Sequence, residues 1–147
     1  MTRRQKTVSK ILEIKEFNKE QLEFEVRKAL ERLHVELEKL DDLERTYSRT
    51  TADFTNKQMK GTIPVHEAEL FTTYMKHLCI QIDQQKELVA LRRTELDTIQ
   101  KAMVEAYKEQ RLFEILKKKI VQEQVKEADL SEQKEADYNY LSRKAKK

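Results

Sequence analysis

Residues able to carry chemistry are few in this chain, and their spacing works against it. His66-Glu67-Ala68-Glu69-Leu70 opens like the helix of a zinc protease, where two histidines four positions apart hold the metal. Leu70 stands where the second histidine is needed, so the two-ligand face does not exist. His34, His66 and His77 share no metal-ligand spacing. One glycine cannot build a phosphate-cradling loop. Cys79 is the sole cysteine, which excludes an internal disulfide and suits a reducing compartment. Beside Leu78, it reads as a small residue packing the flank of a helix rather than as a nucleophile. The expectation is a protein without catalysis, cofactor or metal.

The other feature able to act on a partner is charge. Arg3, Arg4, Lys6 and Lys10 lie within ten residues that hold no acid, and the last five residues contain four bases. Such ends can contact phosphates. However, no aromatic stacking platform accompanies them, and the net charge of the whole chain is only +3. Nucleic acid is therefore not the expected partner. A coiled-coil scaffold with basic, nucleic-acid-contacting termini remains an alternative.

Composition dictates what positions these residues. Charged residues make up 39% of the 147, with one Gly and one Pro. Chain reversals need Gly, Pro, Asn or Asp, so reversals must be rare and helices long. The hydrophobic content of 38%, without Trp, suffices for a narrow apolar seam but not a thick core. No apolar run approaches the ~20 residues of a membrane span, and Glu13, Lys15 and Glu16 interrupt any signal-peptide core.

The strong punctuation is Lys60-Gly61-Thr62-Ile63-Pro64. Gly61 suits a helix end, Pro64 a helix first turn, and Thr62 an N-cap. Asp53, Asn56 and several threonines suggest that the first helix frays before Gly61. Upstream, Leu12, Ile14, Phe17, Leu22, Val26, Leu30, Leu33, Leu37, Leu40, Leu43 and Tyr47 recur in three- and four-residue steps. Two consecutive fours across 22, 26 and 30 predict a local stutter. Downstream, two seven-residue series run Met75, Ile82, Val89, Leu96, Met103, Gln110, Lys117 and Leu78, Gln85, Arg92, Ile99, Ala106, Phe113, Ile120. Ten of these fourteen positions are apolar, a sustained heptad seam. Its polar members weaken the seam locally and serve register.

The fold class is therefore all-α: one long antiparallel two-helix coiled coil, a single domain over 1–147. Helix one is expected at about 5–56, a turn at about 57–63, and a longer helix two at about 64–140. Stepping back from the turn by heptads places Leu40 near Leu78, Val26 near Arg92 and Leu12 near Ala106. Helix one then runs out opposite roughly residue 113, and residues beyond about 118 lack a partner within the chain. That unpaired amphipathic end beside basic charge is either a binding element or a solvated tail.

The whole pattern resembles the FliJ family, the central-stalk component of the flagellar type III export apparatus. Leu37, Leu40, Leu43 and Tyr47 precede the turn, Gly61 sits in it, and Leu70-Phe71-x-x-Tyr74-x-x-x-Leu78 follows. Later, Leu112-Phe113-Glu114-x-Leu116-Lys117 is similar to the family's Glu-x-Leu-Lys segment. The resemblance implies a fold like the coiled coil of the rotary ATPase γ subunit. It also implies a cytoplasmic protein, peripheral to the inner membrane at the flagellar base and monomeric when free. The implied partners are a hexameric export ATPase, the cytoplasmic domain of the membrane export gate, and export chaperones that it escorts.

Carried onto this sequence, the gate-facing patch would be Glu36, Leu40, Leu43, Tyr47, Tyr74, Leu78, Gln81 and Gln85. The ring-facing set would be Arg3, Arg4, Lys6, Lys10, Phe113, Glu114, Leu116 and Lys117. Several gate-facing residues have a plainer reading as seam packing near the turn, and tyrosine can do both, with its ring in the seam and its hydroxyl outside. The stalk of a virulence type III secretion system is the alternative within the same class.

Overall fold

The computed structural model describes residues 2–146. It consists of two α-helices, α1 (Arg3–Lys60) and α2 (Val65–Ala145), of 58 and 81 residues, packed against each other; no strand is present among the described residues. Their contacts fall into two units. One joins the described residues of Met1–Gln21 and Met103–Lys147; the other is Leu22–Ala102.

The unit Leu22–Ala102 contains the turn. Helix α1 does not fray at its threonines. The Thr46, Thr50, Thr51 and Thr55 hydroxyls each donate to the carbonyl four residues back, so their polar groups are satisfied within the helix. It ends at Lys60, and Gly61 takes φ +154°, a conformation side-chain-bearing residues rarely adopt. Thr62 is not the cap expected of it. The Pro64 carbonyl accepts the first helical bond, from Ala68 N–H at 3.0 Å, so Pro64 stands immediately before α2. Glu67 lies in the first turn of α2, where its charge complements the helix dipole, and pairs with Lys57 of α1. The Phe54 and Phe71 rings pack at 5.1 Å between centroids.

The seam of this unit follows unbroken three–four steps on both helices. On α1, residues 22, 26, 29, 33, 36, 40, 43, 47, 50 and 54 are buried or half-buried. This corrects the expected stutter. Ala29 occupies the seam at 3% exposure, and Leu30, one residue on, faces outward at 46%. Constant alternation keeps the stripe on the partner, and a small Ala there permits it. On α2, Leu78, Ile82, Val89 and Leu96 are buried and the intervening seam members half-buried, as the heptads predict. Each such burial contributes about 1.5–3 kcal/mol.

The pairing is antiparallel. Thr51 meets Met75, Phe54 meets Phe71, and Lys57 meets Glu67, so facing residue numbers add to between 124 and 126. Leu40 therefore does not face Leu78, nor Val26 Arg92; the expected register is off by about one heptad.

In the other unit, Thr2 caps α1. Gln5 N–H donates to Thr2 Oγ1 and Thr2 N–H to Gln5 Oε1, both at 3.3 Å, a reciprocal capping box. Lys15 pairs with Glu109 at 2.6 Å, and Lys19 lies over the Tyr107 ring. Leu12 consequently lies beside Gln110 and Glu114, not Ala106. Gln124 Nε2 reaches Thr2 Oγ1 at 2.8 Å, and Ile120 is 4% exposed. Pairing thus extends to about residue 124, beyond the expected limit of 118. Past Gln124, every described residue is exposed except Ser142, which is half-buried.

Candidate functional site

The proposed gate-facing residues all lie in the unit Leu22–Ala102. Leu78 is 3% exposed and Glu36 8%, whereas Leu40, Leu43, Tyr47, Gln81 and Gln85 are half-buried. Tyr74, at 46%, is the member that is openly presented. The fold brings two of them into direct contact. The Gln85 side-chain amide donates to the Glu36 backbone carbonyl at 2.9 Å and to the Glu36 carboxylate at 2.6 Å. Lys39 Nζ approaches the same carboxylate at 3.7 Å. Seven positions on from Gln85, Arg92 bonds Glu95 at 3.0 Å through one guanidinium nitrogen, and its buried Nε has no partner.

The proposed ring-facing residues all lie in the other unit. Arg3, Arg4, Lys6 and Lys10 are exposed along the first two turns of α1. The first turn holds no acid, so Arg3, Arg4 and Lys6 sit against the positive end of the helix dipole, an arrangement that opposes helix stability. Phe113 is half-buried with Lys15 Nζ 5.8 Å from its centroid. Glu114 and Lys117 line an open groove with Ser9, Leu12, Glu13 and Val121, and Leu116 is exposed. Beyond it, Val125, Leu130, Tyr138, Tyr140 and Leu141 are exposed on α2.

Sequence reading missed Thr2, Gln5 and Gln124, although Thr2-x-x-Gln5 is a capping-box spacing open to inspection. It also missed Lys15 and Lys19. Their ammonium groups meet Glu109 and Tyr107 while their stems occupy seam positions, a use of lysine that hydrophobicity does not reveal. Cys79 is exposed rather than packed on the flank.

No group of three or more His, Cys, Asp or Glu able to hold a metal occurs among the described residues. No helix among them is long and apolar enough to cross a membrane. What this arrangement offers chemically is a set of faces: exposed cations, exposed tyrosines and an apolar run along one helix. These features define an all-helical coiled-coil protein. The family described as Flagellar FliJ protein matches residues 5–143, nearly the whole chain, and the protein belongs to that family. No curated protein and no solved structure matches it. FliJ proteins are structural components of the flagellar type III export apparatus.

Proposed function

We propose that this protein is the non-enzymatic stalk of the export apparatus, coupling ATP hydrolysis by a hexameric export ATPase to protein export. In this reading Arg3, Arg4, Lys6 and Lys10, with Phe113, Glu114, Leu116 and Lys117, engage the ATPase ring. Glu36, Leu40, Leu43, Tyr47, Tyr74, Leu78, Gln81 and Gln85 form or support the patch that contacts the cytoplasmic domain of the membrane export gate. Tyr74 supplies the exposed contact, and the buried members hold it in place. Export chaperones are further partners, and the protein works at the cytoplasmic face of the inner membrane without inserting into it.

Family membership over residues 5–143 carries this reading. The four exposed bases support it independently. Arg3, Arg4 and Lys6 stand where the helix dipole penalises them, and a face that costs the free protein stability is explained when a partner's acids neutralise it. The test is co-sedimentation of the protein with the ATPase ring across a salt series. Association that weakens as salt rises supports the reading; no association at low salt removes it.

A further inference from the structure

We infer that the end of α2 beyond Gln124 is a self-association surface, on which two copies of this chain pair antiparallel through Glu127, Leu130, Lys134, Asp137, Leu141 and Lys144. The helix continues to Ala145, past the point where Gln124 meets Thr2, and Leu130 and Leu141 stand 57% and 63% exposed. A helix of about three heptads with leucines left in water is a surface for another helix.

What identifies that helix is the order of the charges. The six residues recur in three- and four-residue steps, so they share one face. Set Leu130 against the partner's Leu141 with the two helices antiparallel. Lys134 then falls against the partner's Asp137, and Glu127 against the partner's Lys144. Two-fold symmetry repeats every pairing, as a surface that binds its own copy requires. All six positions are matched, leucine with leucine and base with acid. In a parallel pair each residue would meet itself, and like charges would oppose at positions 127, 134, 137 and 144. Opposed like charges are costly, so the charges select the antiparallel pair. Tyr138 and Tyr140, 71% and 65% exposed, lie next to this face and can cover its edges. A partner of another kind would not require the face to complement itself. With so few leucines and charges open to salt, the association is weak and belongs to high protein concentration. In dilute solution the chain is a monomer with this face exposed.

The test is sedimentation velocity of the full chain from roughly 5 to roughly 500 µM, at about 50 mM and about 500 mM salt. The weight-average mass should climb toward that of a dimer at low salt and climb less at high salt. Leu130→Gln/Leu141→Gln alters two exposed side chains, so it should keep the parent's ellipticity in dilute solution and stay monomeric. Lys134→Asp sets an acid against the partner's Asp137 and should weaken association about tenfold. Lys134→Asp/Asp137→Lys exchanges the two charges and should restore it. A monomer at every concentration overturns the inference. So does a dimer that survives the leucine changes, since its contact lies elsewhere, and so does equal association of the three charge forms, which parallel pairing would give. If the chain stays monomeric while the leucine variant loses binding to the ATPase ring, the face belongs to the ring and the inference is likewise overturned.

Discussion

Gln124 of α2 donates to the Thr2 hydroxyl at 2.8 Å, and that hydroxyl also caps α1 by accepting from Gln5 N–H. One side chain thus closes the first turn of α1 and marks how far α2 is paired. Thr2→Ala should remove both bonds and cost about 1 kcal/mol. Amide hydrogen exchange should speed up over the first turns of α1 and around Gln124, with the Leu22–Ala102 unit unchanged.

Beyond Gln124 the seam positions turn polar, with Glu127, Ser131 and Lys134 in succession before Tyr138 and Leu141. No residue there is buried. Ending the chain after residue 126 should therefore leave the midpoint of thermal unfolding within a degree or two. Helical ellipticity should fall in proportion to the residues removed. A large drop in the midpoint would mean that this stretch is packed.

Leu78 and Tyr74 separate packing from binding at the proposed gate-facing patch. Leu78→Ala opens a cavity at a site 3% exposed and should cost about 2–5 kcal/mol in denaturant unfolding. Tyr74→Ala removes a side chain 46% exposed and should cost under about 1 kcal/mol. Tyr74→Ala should nevertheless weaken binding to the gate's cytoplasmic domain, measured by titration calorimetry.

Leu30 and Ala29 test the corrected seam. Leu30→Gln should change stability by no more than about 0.5 kcal/mol, because the side chain faces water. Ala29→Leu should overpack the helix interface and cost about 1–3 kcal/mol. The stuttered seam expected from hydrophobicity predicts the reverse order.

These substitutions also show where the sequence was readable. Every member of the two heptad series on α2 is buried or half-buried, because large apolar residues mark that seam and polar ones interrupt it singly. On α1 the seam uses Ala29, Glu36, Lys15 and Lys19, while Leu30 lies one step outside it. Counting leucines therefore drifted off the face. The register misread has a different cause. A seven-residue repeat is ambiguous by seven, and the contacts that resolve it, Thr51 with Met75 and Phe54 with Phe71, lie next to the turn, where the repeat does not say which residues meet. The site residues were assigned through family resemblance. Their burial, which distinguishes Tyr74 from Leu78, follows only once the pairing is known.

The stalk reading is tested most directly by the turnover of a hexameric flagellar export ATPase with this protein added, alongside the variant Arg3→Glu/Arg4→Glu/Lys6→Glu/Lys10→Glu. Acids in the first turn suit the helix dipole, so the variant should fold with stability equal to or above the parent, by about 0.3–1 kcal/mol for each favourable charge. The account predicts that the parent protein raises ATP turnover and that the folded variant fails to do so. Equal turnover with and without the parent protein at low salt, or full stimulation by the variant, would contradict it.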